Sequence, residues 1–151
     1  MSTNIITCES IIPSKSVQKI LNFTMKNNDY ISVAKFLSDE FHINVTTDKD
    51  ILIGYERDWS NLEGNAQLLT RPKSELECAL ILRSCQSTKI PITISAGRTN
   101  LTGSATPNGG LILSIESIVN PSIEVNLDLK TVTTPVGIYL EEMRNEILKQ
   151  S

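Results

Sequence analysis

The stretch that most restricts this chain is rich in glycine, hydroxyl and other small side chains and runs from Ser95 to Gly110 as SAGRTNLTGSATPNGG. It lies between two short apolar runs, 90–95 and 111–115, whose β-branched and aliphatic residues predict strands. Gly97 and Gly103 permit backbone angles closed to other residues, so successive amide N–H groups can curl into a concave nest that attracts an anion. Thr99, Asn100 and Thr102 add hydroxyl and amide donors. A diphosphate held there would receive charge-assisted hydrogen bonds, about twice as strong as neutral ones, and needs no lysine. The Walker pattern G-x-x-x-x-G-K-[ST] is not met, because Gly97 and Gly103 stand six apart and Ser104 follows where a lysine is required. The G-x-G-x-x-G fingerprint before a helix is also missing. Residue types alone fit a plain surface connector equally well.

The rest of the chain supplies helices and short strands. From Ser16 to about Lys26, Val17, Ile20, Leu21 and Met25 share a helical face, with Ser14 or Ser16 as the cap. Asp29 caps a second predicted helix carrying Tyr30, Val33, Ala34, Leu37 and Phe41 and ending near His42. Residues 44–65 read mostly as loop around Ile51-Leu52-Ile53 and Tyr55-Glu56-Arg57-Asp58-Trp59-Ser60, with Asp58 and Trp59 expected to serve loop packing. A strand is predicted at 67–70, closed by Arg71-Pro72 because proline lacks the ladder donor. Ser74 and Glu77 form an S-x-x-E capping box for a helix to about Ser87, apolar on more than one side and expected to be well buried. Strands at 123–127 and 131–134 flank the turn Asp128-Leu129-Lys130, and beyond Gly137 the residues Leu140, Met143 and Ile147 recur at helical spacing. This order predicts an α+β, α/β-like domain: a small mixed sheet flanked by helices and preceded by an N-terminal helical segment.

Composition removes several partners. A net charge of -3 and a pI near 5.2 do not provide the clustered cations that nucleic acid demands. Apolar runs such as 79–82 and 111–113 are far shorter than the roughly 20 residues of a membrane helix, so no membrane span is expected. The first residues lack a basic segment followed by a long apolar run, which makes the cytoplasm the expected compartment. Cys8, Cys78 and Cys85 form no C-x-x-C pair and are read as reduced thiols, with no metal site. No catalytic residue can be assembled: His42, the single histidine, is read as a surface or helix-end residue, and Glu141, Glu142, Arg144 and Glu146 as a solvated helix face.

Taken in order, Arg71-Pro72 with Ser74 and Glu77, Ile90-Pro91, the stretch AGRTNLTGSATPNGGLILS, Thr131-Val132-Thr133 and Gly137 before a helix resemble a known family. They are similar to the FAD-linked oxidases of the p-cresol methylhydroxylase and vanillyl-alcohol oxidase type. Within that group the match resembles the branch of D-lactate dehydrogenases and glycolate oxidase flavin subunits. It spans roughly 67–148. The resemblance implies FAD as cofactor. It also implies that Ser95, Ala96, Gly97, Arg98, Thr99, Asn100, Leu101, Thr102 and Gly103 correspond to the pyrophosphate-binding loop, with Pro107, Gly109 and Gly110 in the turn feeding the next strand. Ala96 and Arg98 stand where the family commonly carries glycine, so Arg98 either swings outward or reaches the diphosphate. Thr99 stands where some relatives attach flavin through histidine, so the flavin here is expected to be non-covalent.

In the family a second glycine-rich segment and a later substrate domain follow, and neither is present before Ser151. The expected organisation is a helical lead at 1–64 and the first lobe of an FAD-binding domain at 65–151. The expected activity is that of a flavin-dependent oxidoreductase of 2-hydroxy acids, of D-lactate or glycolate type, inactive in this chain alone and with weak or absent FAD binding. The missing half, or a second copy, is then the expected partner for bared apolar surface. Two other readings remain: a non-catalytic module that needs a partner fragment, and a binding protein for another nucleotide.

Overall fold

The computed structural model describes residues 8–24 and 29–150. A four-stranded mixed sheet lies at its centre: β1 (Val45–Thr46), β2 (Leu68–Thr70), β3 (Ile92–Ser95) and β4 (Leu111–Ser114), in the order β1-β2-β4-β3. β1 runs antiparallel to β2, whereas β4 lies parallel to both neighbours, with Leu68 opposite Leu111 and Ser95 opposite Ser114. The predicted mixed sheet with flanking helices is what forms.

Alternation along β2 and β4 sends side chains to two cores. Leu68, Leu111 and Leu113 face the larger one, and Leu69 and Ile112 face the smaller. Over the larger core lies α5 (Glu75–Thr88), which buries Ala79, Leu80, Ile81, Ser84 and Cys85. Each fully buried aliphatic side chain there stabilises the fold by about 1.5–3 kcal/mol. Burial also pushes the Cys85 thiol up to about 12, so it stays protonated at physiological pH. Ser74 caps α5 as its spacing predicts, its Oγ accepting from Glu77 N at 3.2 Å. The reciprocal arm closes one residue earlier than a standard capping box: Glu77 Oε2 accepts from Lys73 N at 2.8 Å.

On α5 rest α1 (Cys8–Ile11), α2 (Ser14–Asn22) and α3 (Tyr30–Phe41). Ile12, Ile20, Val33 and Leu37 thereby join the same core as Ile81 and Leu111. α3 begins at Asp29, whose carboxylate accepts from Ser32 N, and ends at exposed His42 in the left-handed region, φ 56. Neither serine predicted to cap α2 does so: Pro13 occupies the cap, and its carbonyl accepts from Ser16 and Val17. Leu21 on α2 is exposed, while Met25 and the predicted end near Lys26 lie outside the described residues.

Residues 44–65 contain more structure than a loop. Val45–Thr46 adds β1 to the sheet edge, and Asp48 accepts from Asp50 N to start α4 (Lys49–Ile53), which lays Leu52 on Leu69 and Ile112. Trp59 differs from expectation too, since the residue is 67% exposed. Beyond the sheet, β5 (Glu124–Asn126) and β6 (Thr131–Thr133) pair antiparallel, and α6 (Leu140–Gln150) buries none of its residues. Among the described residues no helix is long and apolar enough to cross a membrane.

Candidate functional site

Parallel neighbours usually need a helix between them, yet β3 reaches β4 through the loop alone. That loop leaves the carboxyl end of β3 and must return to the opposite end of the sheet, so its two halves meet different surroundings. The return half is tied down. Ala105 N donates to Asp58 Oδ2 (3.3 Å), Thr106 N to Gly103 O (3.0 Å), Gly109 N to Asn65 O (2.8 Å) and Gly110 N to Gln67 Oε1 (2.6 Å). Pro107 is buried, and its carbonyl accepts from Asn65 N at 2.9 Å. Gly110, at φ 78, lies so close to Pro91 that a side chain would collide with the Pro91 backbone.

The leaving half is the opposite. Among the described residues, no backbone N–H from Gly97 to Ser104 donates to a protein acceptor. Asp58 clasps this run from behind: Oδ1 accepts from Ser60 N at 2.9 Å, and Oδ2 from Asn100 Nδ2 at 2.5 Å as well as from Ala105. Trp59 N adds a bond to Asn100 O at 3.1 Å. The Ser60 hydroxyl first, then the Ser60 backbone N–H, the Asn100 side-chain amide and the Ala105 backbone N–H, hold the Asp58 carboxyl down at about 2 against the opposing effect of burial. Asn100 therefore spends its side-chain donors on Asp58 and on Ser104 Oγ, 3.0 Å away.

A cleft of about 470 Å³ opens at the carboxyl ends of β3 and β4. Ala96, Gly97, Arg98 and Thr99 form one wall; Val136, Gly137, Ile138, Tyr139 and Leu140 form the other, with Glu116 between. The walls can approach because Gly137 packs on the chain just past β4, where a Cβ would strike the carbonyls of Ile115, Glu116 and Ile118. The N-terminus of α6 opens into this cleft, and its first turn carries its own carboxylates, Glu141 and Glu142, with Glu142 Oε2 accepting from Tyr139 N at 3.1 Å.

Of the residues singled out from sequence, the structure gathers Ala96, Gly97, Arg98 and Thr99 at the cleft, keeps Ser95 and residues 100–103 next to them in the chain, and carries Pro107, Gly109 and Gly110 away to the other end of β4, against Asn65, Gln67 and Pro91. Ser95 ends β3, buried, with its hydroxyl unbonded. Leu101 is 72% exposed, Thr102 lies 3.3 Å from Ser104 Oγ, and Gly103 sits at φ 75 against Leu62. Arg98 takes neither an outward path nor a free one. At φ 54 it keeps a left-handed turn that costs a non-glycine residue about 1–2 kcal/mol, and it folds over the Tyr55 ring at 4.3 Å with Nη1 2.7 Å from Glu116 Oε1. Sequence reasoning placed Tyr55 in a loop without a role, missed Glu116 entirely, and gave Asp58 loop packing but no part in shaping the site. The Asp-x-Ser spacing of an Asx turn is a usable signal for Asp58, whereas nothing local marks Glu116.

A small mixed sheet with a cleft and acceptor-free amides at the carboxyl ends of its parallel strands is an arrangement suited to a nucleotide cofactor. The chain belongs to the FAD binding domain family, which it matches over residues 66–151. FAD is thus the cofactor, and the acceptor-free amides of Gly97, Arg98 and Thr99 in the cleft wall are donors of the kind its diphosphate would take. The chain is 30% identical over 110 residues to a D-2-hydroxyglutarate dehydrogenase of Xanthomonas citri pv. viticola, covering 72% of this chain and 23% of that one. Its fold is similar to that of p-cresol methylhydroxylase (TM-score 0.63, 22% identity, 90% of this chain and 24% of the other). It is similar too to 6-hydroxy-D-nicotine oxidase of Arthrobacter nicotinovorans (TM-score 0.59, 20% identity, 71% and 24%). The chain spans about a quarter of the length of these relatives.

Proposed function

We propose that residues 97–104 bind the FAD diphosphate non-covalently, and that the chain is the N-terminal part of a flavin-dependent oxidoreductase acting on a 2-hydroxy acid of the D-lactate or glycolate type. In this division 1–64 is a helical lead and 65–151 the first lobe of the FAD-binding domain. The observation that carries the reading is the uninterrupted run of N–H groups without protein acceptors, whose first three residues line the cleft at the carboxyl ends of β3 and β4. The 2-hydroxy acid class rests on the resemblance of the loop and on the relative whose name gives D-2-hydroxyglutarate as its substrate. Bound FAD would supply the acceptor for the electrons of such an oxidation. The protein's own contribution is to hold two phosphate charges with backbone amides.

The cleft offers walls for a diphosphate and none for an isoalloxazine ring, so the chain alone is expected to bind FAD weakly and to oxidise nothing. The second reading, a module that needs a partner fragment, is favoured by α6, which buries no residue and leaves Leu140 77% exposed beside Tyr139 and Val136. Titration of the chain with FAD, followed by flavin fluorescence, tests both. Micromolar or weaker binding that tightens when the remaining polypeptide is supplied supports the proposal. A clear preference for ATP over FAD would replace it with a different nucleotide.

A further inference from the structure

The cleft contains an ion pair that the amide nest does not need. Arg98 Nη1 donates to Glu116 Oε1 at 2.7 Å and to Ala96 O at 3.2 Å, while the guanidinium stacks on Tyr55. Tyr55 Oη is 3.4 Å from Glu116 Oε2 and accepts from Arg71 Nε at 3.0 Å. The pair is half-sheltered, its side chains 24% and 35% exposed, and Nε and Nη2 of Arg98 donate to no protein atom among the described residues. Glu116 thus places a carboxylate in the wall of a cleft opposite the acceptor-free amides of Gly97, Arg98 and Thr99. Across such a short, partly dry gap the repulsion between that carboxylate and a bound phosphate is poorly screened.

We propose that Arg98 is the residue that selects a diphosphate, and that Glu116 is its built-in competitor, holding the guanidinium until a ligand of greater charge takes it over. This rests on the diphosphate reading above. A carboxylate presents one negative charge to the guanidinium and a diphosphate presents at least two, so the exchange is favourable for a diphosphate and not for a simple monoanion. The spare donors of Arg98 allow bidentate contact with a phosphate while the aromatic stack keeps the plane of the guanidinium fixed.

The two partners make opposite predictions, which a propping role would not. If the pair only braced the loop, breaking it from either side would weaken ligand binding. The experiment follows backbone amide shifts of 97–104 in the whole chain as ADP is added, in wild type, Glu116→Gln and Arg98→Gln, with Arg98→Gly as a second variant suited to the positive φ. The expected result is ADP affinity at least fivefold tighter in Glu116→Gln and at least fivefold weaker in both Arg98 variants. Changes of the same sign, or none, overturn this inference and leave the diphosphate reading in place. Absence of any amide response to ADP in all four proteins overturns the diphosphate reading and this inference together.

Discussion

The two halves of the β3–β4 loop have the same kind of composition and opposite physical states. In 105–110, four amides are committed to Asp58, Gly103, Asn65 and Gln67, and a buried proline and a glycine jammed against Pro91 set the register of β4. In 97–104 the amides are left over, while Asn100 is tied to Asp58, Arg98 to Glu116 and Thr102 to Ser104 through their side chains. Buried backbone donors need a partner within the protein, whereas Gly97, Thr99, Leu101, Thr102 and Ser104 are exposed, so their amides are open to water or to a ligand. The difference separates a segment that builds the sheet from one whose donors stay available to the diphosphate proposed above.

The largest effect is expected where the pinned half is broken. Gly110→Ala forces a side chain into the Pro91 backbone at φ 78 and should destabilise the fold by about 3 kcal/mol or more, read as a lower midpoint in urea unfolding. An unchanged midpoint would mean that the return half does not set the register. Next comes the clasp. Asp58→Ala removes the acceptor shared by Asn100 and Ala105, so residues 97–104 should lose their order and ADP affinity should fall about tenfold, with the sheet core intact by amide exchange. Acid should mimic the variant. The folded carboxyl titrates at about 2 against an ordinary 3.8, so its stabilisation is complete above pH about 4 and is lost as the pH falls through about 2. A loop whose amide shifts are flat over that window would remove Asp58 from this role.

The same comparison explains what was legible beforehand. Local chemistry announced the pinned parts: the Ser74 cap, the Asp29 cap, β-branched Ile92–Ser95 and the turn glycines each act over a few residues. Hidden elements were those whose stability comes from distant partners. α4 has five residues and exists because Leu52 reaches Leu69 and Ile112, and β1 has two residues paired to β2. Pro13 displaced both candidate serines because its own carbonyl serves the first turn of α2. In the site, the glycines pointed to a nest, but Tyr55 meets Glu116 across 61 residues and Asp58 meets Asn100 across 42, contacts without any periodic trace.

Gly97 gives the finest separation of the two states. It is a glycine whose φ lies outside the left-handed region, and a Cβ built on it meets no protein atom within 4 Å, the reverse of Gly110. Gly97→Ala should therefore leave stability unchanged or raise it by up to about 1 kcal/mol, since alanine restricts the unfolded chain more than glycine does. If protein packing were the only constraint at position 97, ADP affinity would be equally untouched. If the open space is where a diphosphate approaches the backbone, the added methyl stands between the anion and its donors, and affinity should fall about fivefold at constant thermal midpoint. A loss of binding without a loss of stability, paired with the loss of stability in Gly110→Ala, would assign the two glycines of one loop to two different tasks.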